Sequence, residues 1–188
     1  YIADMHFGHE NIIAYDNRPF MTAAEMDEAM ITRWNGSVGS DDLTWILGDF
    51  CTDGPERWEE ILLRLNGRKA LILGNHDDRE TVQHVRYCFE DISDYCEITD
   101  RERHVVLCHY PIVSFRDHYF SWYHLYGHVH NSFEANVTEN ARRLLQRLYV
   151  REDVCLMFNA GAMMPRMNYT PRSLEEITAA SPGGGSGT

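Results

Sequence analysis

Short continuous apolar runs alternate along the chain with apolar residues at helical spacing. The runs predict strands at residues 43–47, 69–73, 95–98, 104–108, 122–126 and 154–158. The helical spacing predicts helices at residues 23–34, 55–65, 79–87 and 139–148, and a capping box at Ser173 predicts a terminal helix. This alternation indicates an α/β domain whose sheets carry helices on the outside.

Length and composition predict one domain followed by a short tail. The chain has 188 residues, 44% of them hydrophobic, which suffices for a single domain over residues 1–180. Residues 181–188 are rich in Gly and Ser, so we expect a flexible tail there. No apolar run reaches the roughly 18 residues of a membrane span, and the first residues lack a signal-peptide pattern. We therefore expect a cytoplasmic protein without a membrane span.

The net charge limits the expected binding partners, and the cysteine content indicates the state of the thiols. The formal net charge of -12 argues against a basic surface that tracks a phosphate backbone, so nucleic acid is not the expected partner. A small phosphorylated substrate remains compatible with this charge, because bound divalent cations reverse the local sign in a cleft. The five cysteines form no CxxC pair, which favours reduced, buried thiols over disulfides or a cysteine zinc site.

Residues able to bind a metal follow the predicted strands. The segments are DMH at residues 4–6, GD at 48–49, GNHD at 74–77, CHYP at 108–111 and GHVH at 127–130. Each alone has an ordinary explanation, such as a polar turn, a helix-capping carboxylate or surface histidines. Together they lie at the carboxyl ends of predicted strands, where open α/β sheets bind ligands.

In this order, the five segments resemble the signature blocks of the calcineurin-like metallophosphoesterases. The neighbouring sequence segments HFGHENII and YTPRSLEEI are similar to those of the small bacterial and phage-type members. The resemblance implies a four-layer α-β-β-α sandwich of two mixed sheets flanked by helices, the metallo-dependent phosphatase fold. It also implies two metal ions at one edge of the sheets.

The resemblance assigns seven ligands to these two ions. One metal is expected on Asp4, His6, Asp49 and His130, and the other on Asp49, Asn75, His109 and His128. Asp49 would bridge the two. Such a pair of cations can lower the pKa of a shared water and direct the resulting bridging hydroxide at phosphorus. Oxygen and imidazole ligands suit Mn, which we expect, and also Fe or Zn.

The implied function is hydrolysis of a phosphomonoester or phosphodiester, in a nucleotide or another small phosphorylated substrate. The resemblance casts His76 as the group that stabilises the transition state or protonates the leaving oxygen. Its orienting partner is either Asp77 or Asp53. Candidates for phosphate contact are His9, Arg79 and Arg116.

The remaining histidines, His84, His104, His118 and His124, are interpreted as structural or surface groups. The aromatic residues at 119–123 could stack on a nucleobase, but packing in the core is the favoured explanation.

Three other functions are compatible with the same residues. The first is a binding scaffold that keeps the fold without activity. The second is a metallohydrolase acting on amide bonds, which the ligand types alone would permit. The third is a nuclease, against which the acidic composition argues.

Overall fold

Two β-sheets form the centre of the computed structural model, which describes residues 1–179. The first sheet is parallel and contains, in spatial order, β1 (Leu43–Ile46), β2 (Arg68–Ile72) and β3 (Ile92–Ser93). The second contains β4 (Tyr95–Asp100), β5 (Arg103–Cys108), β6 (Tyr123–Tyr126) and β7 (Leu156–Asn159). Strand β4 is antiparallel to β5, whereas β5, β6 and β7 run parallel. The predicted tail at residues 181–188 lies outside the described residues.

In the described part of the chain, two helices precede β1, and the other four follow strands. They are α1 (Glu10–Tyr15), α2 (Ala23–Ser37), α3 (Pro55–Arg64), α4 (Arg79–His84), α5 (Phe133–Tyr149) and α6 (Leu174–Thr178). Pro55 begins α3 in the first turn, where a helix needs no backbone N–H donor. Helix α3 provides the crossover between the parallel strands β1 and β2.

The alternating side chains of β5 divide the interior into two clusters. Val105 and Leu107 belong to the large core, which also contains the first sheet and the buried Trp34 of α2 and Trp58 of α3. Val106 points the other way, into a smaller cluster in which β6, β7 and α5 also take part. The structure is therefore mixed α/β, with two sheets flanked by helices, which confirms the prediction at this level.

The N-terminal segment connects the two sheets. Ile2 forms a parallel bridge with Ile46 at the end of β1, and Ala3 forms one with Gly161 beyond β7. The backbone N–H of Asp4 then donates to the carbonyl of Gly48 at 3.0 Å. This path brings Asp4 to the carboxyl ends of strands from both sheets.

Some elements differ from the prediction. Helix α5 begins at Phe133 rather than near residue 139, because the Ser132 side chain caps it by accepting from Glu134 N. The predicted helix at residues 79–87 ends at His84, and a short 3₁₀ turn follows at Arg86–Cys88. Helix α1 and strand β3 were not predicted, since six and two residues are too short to show a period.

Two further findings concern membrane spans and cysteines. Within residues 1–179, every helix is too short or too polar to cross a membrane. All five cysteines are free thiols, of which Cys51, Cys108 and Cys155 are buried.

Candidate metal centre

A cavity of about 400 Å³ opens at the carboxyl ends of the strands. Predicted ligands form part of its lining: His6, Asp49, Asn75, His128 and His130. Asp4 and His109 are fully buried and lie within 4 Å of these ligands. The structure thus brings all seven predicted ligands together, from strand ends of both sheets.

The backbone of this site is unusual. Five of the seven residues have a left-handed conformation, with φ between 46° and 69°: Asp4, His6, Asp49, His128 and His130. Such a conformation is unfavourable for residues other than Gly and persists where surrounding structure enforces it. Its concentration around one cavity is typical of a functional site.

Four side chains form the first group. Asp4, His6, Asp49 and His130 each offer a ligand atom, and these atoms lie within 4.8 Å of one another. His6 Nε2 is 3.3 Å from His130 Nε2 and 3.6 Å from Asp49 Oδ2. This spacing allows one cation to contact all four.

The second group shares Asp49 with the first. His109 Nε2 lies 3.5 Å from Asp49 Oδ2 and 3.1 Å from Asn75 Oδ1. His128 Nδ1 lies 2.8 Å from the same Asn75 oxygen. These residues could hold a second cation, with Asp49 between the two.

The orientation of His109 follows from its buried surroundings. Its Nδ1–H donates to the carbonyl of Leu47 at 2.8 Å, and burial lowers the pKa of the ring. The neutral ring therefore presents the lone pair of Nε2 to Asp49 Oδ2. Two lone pairs that face each other repel, and a cation between them would remove that repulsion.

Asp4 and His6 each carry a polar atom that the described part of the fold leaves unsatisfied. Within residues 1–179, neither Asp4 Oδ2 nor His6 Nδ1 has a hydrogen-bond partner, although both atoms are buried. Burial raises the pKa of Asp4 to about 7 and lowers the pKa of His6. A buried carboxylate without full compensation is costly, and a divalent cation is the kind of group that provides it. The residues present therefore fit a metal.

Glycine opens three of the motifs, and in two of them the backbone passes close to a carboxylate of the site. A Cβ atom at Gly74 would lie 2.2 Å from Asp49 Oδ1, and one at Gly127 would lie 2.7 Å from Asp4 Oδ2. A larger residue at either position would displace a ligand.

His76 is exposed and lines the cavity, with its ring centroid 5.3 Å from that of His6. Asp77 does not orient it. The Asp77 carboxylate instead accepts from three backbone N–H groups, those of Asp49, Phe50 and Gly74, at 2.8–2.9 Å. Among the described residues, neither Asp77 nor Asp53 hydrogen-bonds to the His76 ring.

Of the predicted phosphate contacts, one lies in the cavity. His9 lines it, and its Nδ1 is buried without a partner among residues 1–179. Arg79 pairs with Asp94 at 2.6 Å and Arg116 pairs with Glu97 at 2.7 Å, and neither arginine lines the cavity. Their positions therefore do not support a role in phosphate contact.

His84, His104, His118, His124 and the aromatic residues at 119–123 lie outside the cavity lining. His124 is buried and hydrogen-bonded to backbone, and the His104 ring stacks on Trp122 at 4.5 Å. The residues at 119–123 also do not line the cavity, so the structure does not support a stacking role there.

Asp16 and Arg18, a buried ion pair beside the site, were not predicted. Asp16 contacts the His130 ring, and Arg18 contacts Asp16. Both follow the DMH motif closely in the chain, but no motif marks them as part of the site.

No protein-family model matches the chain. It is 42% identical over 78 residues to an uncharacterized protein of Methanocaldococcus jannaschii, MJ1445, a match that covers 40% of this chain and 44% of that protein. It is 27% identical over 172 residues to the gene 66 protein of Mycobacterium phage D29, covering 77% of this chain and 84% of that one. The chain thus spans less than half of the first relative.

A solved structure is similar over nearly the whole chain. It is the crystal structure of the protein of unknown function AQ665 from Aquifex aeolicus, with a TM-score of 0.67 and 26% identity. The match covers 94% of this chain and 95% of that one. The comparisons therefore support a shared α/β fold, and their descriptions name no activity.

Proposed function

We propose that this protein is a metal-dependent phosphoesterase with the four-layer α-β-β-α fold of the metallo-dependent phosphatases. Its substrate is a small phosphomonoester or phosphodiester, such as a nucleotide. The observation that carries the proposal is the convergence of seven oxygen and imidazole ligands, from both sheets, around the buried carboxylate of Asp49.

The donor set supports a pair of divalent cations. One would be held by Asp4, His6, Asp49 and His130, and the other by Asp49, Asn75, His109 and His128. Bound there, the two cations would supply Lewis acidity and lower the pKa of a water molecule shared between them. Carboxylate, amide and imidazole ligands without thiolate favour Mn, with Fe and Zn as alternatives.

The protein's own groups supply the remaining steps. The exposed His76 ring, beside His6, can give a proton to the leaving oxygen of an ester bound in the cavity. His9 lies on the same wall and can donate a hydrogen bond to a phosphoryl oxygen. The apolar side chains of Ile12 and Val129 also line the cavity and suit the organic portion of a substrate.

The test is hydrolysis of an aryl phosphomonoester and an aryl phosphodiester after chelation and re-addition of MnCl2, a ferrous salt or ZnCl2. We expect activity to return with metal and to fall at least 100-fold in Asp49→Asn. In His76→Ala we expect kcat to fall about 10²- to 10⁴-fold while the metal content stays unchanged. His84→Ala is the matched control, since His84 is exposed outside the cavity and should not alter turnover.

The absence of turnover with every ion and both esters would contradict the proposal. If the protein still bound metal under those conditions, a binding scaffold would become the better explanation. Cleavage of a peptide faster than of either ester would favour the amide hydrolase instead.

A further inference from the structure

Asp16 and Arg18 form a buried ion pair at the end of α1. The Arg18 Nε and Nη2 atoms donate to Asp16 Oδ2 at 2.9 and 2.8 Å. The side chain of Arg18 is fully buried and that of Asp16 is 2% exposed, so solvent screens the pair little. Burying two charged groups is costly, and such a pair persists where further hydrogen bonds satisfy both partners.

The second oxygen of Asp16 reaches the candidate metal centre. Asp16 Oδ1 accepts from His130 Nδ1 at 2.8 Å, across 114 positions in the chain. Donation from Nδ1 turns His130 Nε2 toward the first group of ligands, 3.3 Å from His6 Nε2 and 3.8 Å from Asp4 Oδ1. Carboxylates in this position fix the tautomer and direction of metal-binding imidazoles.

The remaining donors of Arg18 contact the backbone of the segment that carries Asp4 and His6. Its Nη1 donates to the carbonyl of Met5 at 2.8 Å, and its Nη2 donates to the carbonyl of Asp4 at 2.9 Å. These carbonyls belong to the DMH segment, in which Asp4 and His6 have positive φ. The planar guanidinium thus fixes the strained backbone of two ligands and, through Asp16, the ring of a third.

We propose that Asp16 and Arg18 are positioning residues that align His130 and the DMH segment for metal binding. Neither side chain lines the cavity, so the pair acts through the ligands and not on the substrate. This inference rests on the proposed function in taking His130 as a ligand.

The test compares Asp16→Ala, Asp16→Asn and Arg18→Lys with wild type. The control is Asp94→Ala, which removes an exposed ion pair with Arg79. MnCl2 affinity is measured by calorimetry on chelated protein. The tautomer of His130 is measured by ¹⁵N NMR of histidine-labelled chelated protein, with His130→Gln identifying the signal.

We expect Asp16→Ala to weaken Mn binding 10- to 100-fold and to abolish the fixed Nδ1–H tautomer. Arg18→Lys should weaken binding as well, because an ammonium cannot reach Asp16 and both carbonyls at once. Asp16→Asn keeps one oxygen, which can serve His130 or Arg18 but not both, so its effect should be intermediate. Asp94→Ala should match wild type in both measurements.

The two measurements separate this inference from the proposed function. Equal Mn affinity and an unchanged His130 tautomer in Asp16→Ala would overturn the positioning role while leaving the metal centre intact. If wild type bound no Mn, the proposed function would fail, and the tautomer comparison would still decide whether Asp16 orients His130. Should Asp16→Ala not fold, the smaller change in Asp16→Asn decides by the same measurements.

Discussion

His109 and His124 are both fully buried, and in both rings Nδ1 donates to a backbone carbonyl. The second ring nitrogen distinguishes them. His124 Nε2 accepts from the backbone N–H of Ile112 at 3.0 Å, so all its hydrogen-bonding capacity is used by the fold. His109 Nε2 faces Asp49 and Asn75, where its lone pair remains available to a metal. Burial alone therefore does not distinguish a candidate ligand from a structural histidine, whereas the direction of the free lone pair does.

His124 should make the stability of the protein depend on pH. Burial lowers the pKa of His124 to about 4, against about 6.5 in an unfolded chain. The unfolded state binds the proton more readily between these values, so the contribution of His124 is complete above pH 6.5 and is lost as pH falls toward 4. At pH 5 the free energy of unfolding should be lower by roughly 2 kcal/mol, since each unit of pKa difference corresponds to about 1.4 kcal/mol.

The measurement is urea unfolding at pH 7 and pH 5. Between pH 7 and pH 5, the free energy of unfolding should fall by roughly 2 kcal/mol more in wild type than in His124→Gln. The variant has no titrating group at position 124. His104→Gln is the control, since His104 is an exposed histidine near the start of β5, and this variant should lose as much stability as wild type. An equal loss in wild type and His124→Gln would show that His124 titrates alike in both states.

The segments that follow β1 and β2 are held together by one side chain. The carboxylate of Asp77 accepts from Asp49 N and Phe50 N after β1, and from Gly74 N after β2. Burial raises the pKa of Asp77 to about 6, and hydrogen bonds from these amides oppose that rise. Asp77 therefore connects two neighbouring strand ends, each of which carries a predicted ligand.

Asp77→Ala should be strongly destabilising. It leaves three backbone donors without their acceptor, at about 1–3 kcal/mol each where water does not replace it. We expect a loss of about 3 kcal/mol or more in the free energy of unfolding, measured by urea denaturation of chelated protein. Asp78→Ala is a matched control at the adjacent position: it removes only the exposed cap of α4 and should cost much less than Asp77→Ala. Equal losses in the two variants would contradict the connecting role.

Helices and strands could be predicted where a local sequence pattern marks them. Hydrophobic runs located six of the seven strands, and the Ser173 capping box located α6. The start of α5 was missed because its first turns carry exposed apolar residues, Phe133 and Val137, which show no buried face. The motifs likewise predicted the candidate ligands that converge, but not Asp16 or Arg18. Asp16 contacts His130 from 114 positions away in the chain. Nothing in a local pattern reveals a contact of that separation.

At the scale of the whole molecule, the candidate ligands tie distant parts of the chain together. They extend from residue 4 to residue 130 and belong to the ends of strands in both sheets. Without a cation, this region concentrates buried carboxylates and strained backbone in a protein whose formal net charge is -12. The site is therefore expected to lower the stability of the metal-free protein.

Metal binding should consequently raise the thermal stability of the entire domain. A ligand that binds only the folded state contributes about 2.7 kcal/mol at 100 times its Kd, and a domain of this size gains roughly 2–4 °C for each kcal/mol. We expect the Tm of chelated protein to rise by about 5–10 °C in a single transition as MnCl2 is added, measured by calorimetry. Asp49→Asn should abolish most of this rise, because Asp49 belongs to both groups of ligands, whereas Asp94→Asn should keep it. A Tm that does not change with MnCl2, or a rise of equal size in Asp49→Asn, would show that these residues do not form the metal site.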